Sequence, residues 1–240
     1  MSSTAYPPLS VAYPLSVRGF FDQPSRALWL VKWLLLIPHY IILVFLWLAF
    51  WLVTVIAFFA ILFTTRYPKG LFDFNVGVIR WSWRVSFYGY TALGTDRYPP
   101  FTLADVPDYP ARLEIDYPEQ LNRWLPLVKW LLAIPQYILV GALVGSGYVV
   151  SISVQDSRVT SYSTPSLIGA CVLIAAIAML FTTRYPPGLF DFAVGINRWG
   201  YRLLVYVALM TDQYPPFRLD QGSVEPEGLE QPPAAMEASQ

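Results

Sequence analysis

The sequence predicts a mainly α-helical integral membrane protein. It would be a tandem duplication of a transmembrane hairpin followed by an interfacial amphipathic helix, with small cytoplasmic β-strands between the repeats. Three observations carry this reading. Of 240 residues only 13% are charged, while 55% are hydrophobic and the mean hydropathy is +0.45; soluble domains carry about a quarter charged residues. Apolar runs reach the length of about 20 residues that a helical crossing needs. Blocks of sequence also return in the same order in the two halves. A net charge of zero removes the basic footprint of a nucleic-acid binder, and the apolar content excludes a disordered chain. The lone cysteine, Cys171, can form neither an intramolecular disulfide nor a Cys-based zinc site; in its apolar run it reads as a packed, inert thiol.

Residues 1–11 read as a flexible N-terminus. The first basic residue is Arg18, and Pro7, Pro8 and Pro14 precede it, which does not fit a secretory signal. The run from Ala27 to Thr64, interrupted only by Lys32, Pro38 and His39, is too long for a signal core and reads as embedded mature chain.

The repeats are explicit. Leu-Val-Lys-Trp-Leu-Leu at 30–35 returns at 127–132, and Ile37-Pro38-His39-Tyr40 returns as Ile134-Pro135-Gln136-Tyr137, an offset of 97. Phe63-Thr64-Thr65-Arg66-Tyr67-Pro68 returns as Phe181-Thr182-Thr183-Arg184-Tyr185-Pro186, an offset of 118. Gly70-Leu71-Phe72-Asp73-Phe74, Arg80-Trp81 and Arg84 return as Gly188-Leu189-Phe190-Asp191-Phe192, Arg198-Trp199 and Arg202. Thr95-Asp96-Arg97-Tyr98-Pro99-Pro100-Phe101 returns as Thr211-Asp212-Gln213-Tyr214-Pro215-Pro216-Phe217, an offset of 116. The second copy therefore gained 21 residues between its Ile-Pro and Phe-Thr-Thr-Arg blocks and lost two later. The units are 12–105 and 106–220. Residues 221–240, with four glutamates and no Lys or Arg, read as a disordered acidic tail.

These blocks resemble the bacterial DUF4389 membrane-protein family, whose pattern has "IPH" after a basic-apolar helix, then "RYPxGLFDFxVGxxRW", then "TDxYPPF". The resemblance covers two copies of the family unit, about residues 12–105 and 109–220, and it implies membrane residence without implying an activity.

In the second repeat, the apolar runs Leu125–Ser153 and Leu167–Phe181 flank a polar stretch at 154–165, which reads as two crossings joined by an outer loop. Arg123, Lys129, Arg184, Arg198 and Arg202 lie on the other side, so the positive-inside rule sets the repeated motifs in the cytoplasm. The first repeat has no such loop. Positive charge at both ends of its run (Arg26 and Lys32, then Arg66 and Lys69) and the equivalence of the motifs favour a tight hairpin. The alternative is one long helix, which would make an inverted repeat. The hairpin implies a multi-pass protein of the inner membrane with both termini cytoplasmic.

After the Tyr-Pro turn, Asp73, Gly77, Arg80, Arg84 and Tyr88 recur at helical spacing, as do Asp191, Gly195, Arg198, Arg202 and Tyr206. Arginine at mid-membrane is costly, so both helices are expected in the cytoplasmic interface. There Arg66, Arg80, Arg84, Arg184, Arg198 and Arg202 would meet anionic headgroups or a partner, with Trp81 and Trp199 entering the acyl boundary. The bland alternative is that these arginines anchor the helix or pair with Asp73 and Asp191. Ala111–Tyr117 alternates apolar and charged residues and reads as a strand, with Leu15–Phe20 as its counterpart; Phe101–Leu103 and Phe217–Leu219 are candidate pairing segments. Gly141 and Gly145 form a GxxxG pair suited to helix packing.

The sequence holds no Walker loop, no Gly-x-Ser-x-Gly, no zinc-protease signature and no dinucleotide fingerprint. His39 is the only histidine and reads as a polar helix-end residue. No metal and no cofactor is expected. The expected function is a non-catalytic membrane subunit or scaffold that contacts anionic lipid and other membrane subunits or itself. The alternatives are a transporter or lipid-translocating protein, which requires a polar path, and a lipid-modifying enzyme using Asp73 and Asp191, which requires those carboxylates in one cleft.

Overall fold

The structure, a computed structural model, describes residues 13–25, 27–144, 148–153, 158–163, 166–182 and 185–224. The first eleven residues and the acidic tail beyond 224 lie outside these, as do Arg184 and Gly145. The start of the tail is anchored, since the Gly19 N–H donates to the Ser223 carbonyl at 3.1 Å.

A short strand, β1 (Leu15–Gly19), leads into α1 (Trp29–Thr64), one helix of 36 residues. At about 1.5 Å per residue this is about 54 Å long. The hairpin expected in the first repeat does not form. The central Leu46-Trp47-Leu48-Ala49-Phe50-Trp51 supplies no Gly, Pro or Asn to make a turn, and flanking charge can orient a helix but cannot reverse a chain. The buried positions of α1 are Lys32, Leu36, His39, Leu43, Phe50, Thr54, Ala57 and Ile61. Their steps of four, three and seven keep them on a seam with a period of 3.5 residues. The opposite face is apolar yet exposed, including Phe45, Leu48, Leu52, Val55 and Phe59. Thr65 ends the helix in the left-handed region, its N–H bonded to the Ile61 carbonyl.

The chain then reverses into α2 (Lys69–Tyr88), which runs back along α1. Asn75 reaches Thr54 at 3.2 Å, Trp81 reaches His39 at 3.1 Å, and Lys32 lies over the Tyr88 ring at 4.5 Å. The helix expected to lay its arginine face open to headgroups is instead packed on protein. It is buried on most sides, because Trp83 and Phe87 pack against the second repeat while the Arg-Gly stripe packs against the chain's own loop.

The second repeat starts with β2 (Ala111–Ile115), followed by α3 (Leu125–Leu132) and α4 (Ile134–Val144). These two helices bend by 46° at the break before Pro135. Next come β3 (Tyr148–Ser153) and β4 (Arg158–Ser163), an antiparallel hairpin, then α5 (Leu167–Thr182) and α6 (Pro187–Val207). Val144 corresponds to Trp47 and Leu167 to Ala49, so the 21 extra residues open the counterpart of α1 at its middle. The run expected to stay helical to Ser153 turns to strand at Tyr148, where Tyr148, Val149, Val150 and Ile152, aromatic and β-branched, favour an extended backbone. Both α4 and α5 pack on α6.

An approximate two-fold relates the halves. Tyr13-Pro14 recurs as Tyr109-Pro110, an offset of 96. The two expected strands pair with each other and not with the Tyr-Pro-Pro segments: Val17 faces its own counterpart Leu113, while Leu15 faces Ile115 and Gly19 faces Ala111. At the centre of the core Trp83 meets its counterpart Tyr201 edge-on, with ring centroids 5.6 Å apart. The segments 101–103 and 217–219 remain loops.

Gly77 and its counterpart Gly195 let these loops approach their helices. A Cβ at Gly77 would lie 2.8 Å from the Leu103 Cβ, and one at Gly195 would lie 3.1 Å from the Asp220 carbonyl oxygen. Gly77→Ala is therefore expected to cost about 1–3 kcal/mol, read as a lower Tm in detergent. Gly141→Ala, whose Cβ would meet nothing within 4 Å, should leave Tm no lower.

Candidate functional site

The arginine stripes lie inside the protein. Arg84, Arg198 and Arg202 are 1%, 0% and 0% exposed. A buried guanidinium must find acceptors for its donors, and these come from the chain itself. Arg84 donates to the carbonyls of Thr102 and Ala104. Arg198 donates twice to the Val17 carbonyl, at 3.0 and 2.9 Å, and also to the carbonyls of Asp220 and Gly222. Arg202 pairs with the Asp220 carboxylate at 2.5 Å. Half-buried Arg80 donates to the Leu113 carbonyl at 3.0 Å and lies 3.8 Å from Asp105. Arg80 and Arg198 are counterparts, as are Leu113 and Val17. Each repeat's arginine thus holds the strand of the other.

These positions correct the headgroup role expected for Arg84, Arg198 and Arg202. The helical face was identified rightly, but it meets protein. Asp73 and Asp191 are not its partners, for Asp73 pairs with Lys69 at 3.1 Å and Asp191 lines a separate pocket. The single cleft that would unite the two carboxylates does not form. Arg66 stays exposed. Trp81 and Trp199 are also buried rather than lipid-facing. Their indole N–H groups donate to His39 Nδ1 at 3.1 Å and to Gln136 Oε1 at 2.6 Å. His39 lies within α1 and not at a helix end. It is fully buried and stacked on Phe101 with ring centroids 4.0 Å apart. Gln136 replaces it as acceptor and also donates to the Pro215 carbonyl at 2.8 Å.

Two lysine cages were not anticipated. Lys32, fully buried, donates to the Thr95 carbonyl at 2.7 Å and meets Asp96 at 3.0 Å. Lys129 does the same with Thr211 at 2.7 Å and Asp212 at 2.8 Å. Each Asp also accepts a backbone N–H, from Ser25 at 2.5 Å and from Asn122 at 2.6 Å. Each following tyrosine hydroxyl caps a helix carbonyl, Tyr98 on Leu35 and Tyr214 on Leu132. The Thr-Asp-x-Tyr-Pro-Pro-Phe loop is thus a clasp on the start of its repeat's helix. The signal available in the sequence was that Lys and Thr-Asp recur together in both copies.

An apolar groove of about 500 Å³ runs between α1 and α2, against Leu43, Trp47, Leu48 and Val85, with Ser82, Ser86 and Tyr201 as its polar edge. Among the described residues no group of three or more His, Cys, Asp or Glu is placed to share a metal ion.

A family model described as "Domain of unknown function (DUF4389)" matches residues 26–102 and 159–218, one segment in each repeat. No curated protein and no solved structure matches the chain.

Burial pushes the Asp96 carboxyl up, but hydrogen bonds from Ser25 and Lys32 and the Lys32 charge outweigh it and hold the group below its ordinary 3.8. A carboxyl lowered on folding stabilises the fold above its unfolded value, and that stabilisation is lost as pH falls through the folded value. Tm in detergent should therefore drop as pH goes below about 4. Asp96→Asn should flatten that dependence and cost about 1–3 kcal/mol at neutral pH.

Proposed function

The chain belongs to the DUF4389 family, and on that premise we propose that it is a non-catalytic, membrane-embedded subunit or scaffold. One observation carries the reading. Helix α1 is long and apolar enough to cross a membrane, yet only 22% of its most hydrophobic window is buried. The core helix of a soluble protein of this hydropathy would be mostly covered. Here Phe45, Leu48, Leu52 and Phe63 are 63–75% exposed, and the same holds in kind for Trp130, Ile138 and Ile174 on α3, α4 and α5. A patch this large on a water-soluble monomer would be an aggregation hazard, whereas in lipid it is the ordinary outer surface.

In this reading α1 is a single crossing of the cytoplasmic membrane. Both α3–α4 and α5 are embedded beside it, while α2 and α6 form the polar-braced centre between them. Arg66 is the stripe-side arginine left free to meet an anionic headgroup. The outer faces are the surfaces on which other membrane subunits, or a second copy, would pack. The lipid-translocating alternative draws on the groove between α1 and α2. Its lining suits an acyl chain, and a hydrated solute would find few polar partners there.

Leu48→Arg with Leu52→Arg tests the membrane reading. In lipid each substitution should cost about 2.5–3.5 kcal/mol and move the protein out of the carbonate-resistant membrane fraction. If that face is in water, surface substitutions of this kind stay within about 0.5 kcal/mol, and an unchanged membrane fraction would count against the proposal.

A further inference from the structure

One corner of the fold differs in charge between the two repeats. In the first repeat the Lys69 ammonium lies 3.1 Å from the Asp73 carboxylate and over the Tyr117 ring, 5.1 Å from its centroid. Tyr117 meets Phe72 edge-on at 5.1 Å, and Phe72 meets Tyr67 edge-on at 5.5 Å. A largely exposed amine therefore sits over the Tyr117 ring and beside one carboxylate, at the rim of this aromatic cluster. The ring comes from one repeat and the rest from the other.

The second repeat rebuilds this corner from the matching residues. Phe21 stands for Tyr117 at the offset of 96, and Tyr185, Phe190 and Asp191 stand for Tyr67, Phe72 and Asp73 at the offset of 118. The rings again meet edge-on, Phe21 with Phe190 at 5.1 Å, Phe21 with Tyr185 at 5.5 Å and Tyr185 with Phe190 at 5.9 Å. The amine alone is missing, because Lys69 has become Pro187. A pocket of about 280 Å³ opens there, with no Lys or Arg among the described residues that line it. Asp191 is half-buried, and no described cation pairs with it.

We propose that this pocket binds an organic ammonium group, primary or quaternary, in the place that Lys69 fills in the first repeat. Aromatic faces attract such a cation through the ring quadrupole, more strongly when water is excluded, and a half-buried carboxylate gains from a counter-charge. A hard metal ion is not served, since Ca²⁺ or Mg²⁺ needs about six oxygen ligands and among the described lining residues only Asp191 and Ser223 carry side-chain oxygens apart from the Tyr185 phenol. A free amine and the ethanolamine or choline headgroup of a lipid present the same group. The chemistry of the corner does not depend on where a bilayer lies, so the inference stands apart from the membrane reading.

The test uses the full chain in an uncharged maltoside detergent, with tetramethylammonium chloride as probe and saturation-transfer NMR on its methyl protons as readout. Transfer is expected with wild type. Asp191→Asn should weaken it about tenfold. Pro187→Lys should abolish it by installing the tethered amine, a change that α2 already accommodates at its own first residue. Asp73→Asn, in the occupied corner, should leave it unchanged. A parallel arm compares Tm in nanodiscs of phosphatidylglycerol alone and with phosphatidylethanolamine or phosphatidylcholine added. Stabilisation there that Pro187→Lys removes assigns the ligand to a lipid headgroup, and binding of the soluble probe without it assigns a free amine. No transfer and no headgroup stabilisation with wild type, or binding that survives both Asp191→Asn and Pro187→Lys, would overturn the proposal.

Discussion

Cations withdrawn from solvent govern this fold. Lys32, Lys129, Arg84, Arg198 and Arg202 are almost wholly buried, in a chain with few charges of either sign to spare. Each must be surrounded by acceptors or it would expel the helix that carries it. The acceptors come largely from backbone carbonyls of irregular segments, at Thr95, Thr102, Ala104, Thr211, Asp220 and Gly222. Proline contributes a carbonyl but no N–H, so loops drawn from a chain with 21 prolines carry more acceptors than donors. The Tyr-Pro-Pro loops and the strands are therefore where the helices' cations dock, which explains why these segments, far apart in the chain, sit on the helices.

The duplication is closed by exchange. Arg80 grips β2 and Arg198 grips β1, and the two strands pair with each other through counterpart residues. Arg80 and Arg198 each reach across to the other repeat's strand, so neither repeat makes these contacts alone. The contact of Trp83 with Tyr201 at the centre places an approximate two-fold there. Counterpart residues meet on such an axis because a two-fold interface is self-complementary.

After duplication the copies diverged without losing this frame. His39 became Gln136, and the indole N–H of the facing tryptophan kept its acceptor. The counterpart of α1 was opened by a strand hairpin, yet both of its pieces still pack on α6. Lys69 became Pro187, which kept the helix start, since proline is suited to the first helical position, and removed the amine.

The sequence alone determined the duplication, the apolar character, the helical stripes and the β1–β2 strands, and it did so because these are matters of local order and period. A repeat is read by offset, and a helical face by its spacing of three and four residues. Tertiary structure decided which way each face points. An arginine stripe has the same spacing whether it meets phosphate or carbonyl, and nothing local distinguishes them; the distant acceptors at Val17, Leu113 and Asp220 did. The same holds for Lys32, whose partner is 64 residues away in the chain. The single helix in place of the hairpin was legible in the missing turn residues of Leu46–Trp51, but flanking charge pointed the other way. The chain continued straight because α1 is held along α2 at Lys32, His39 and Thr54, and those contacts outweigh a turn that no residue there can make.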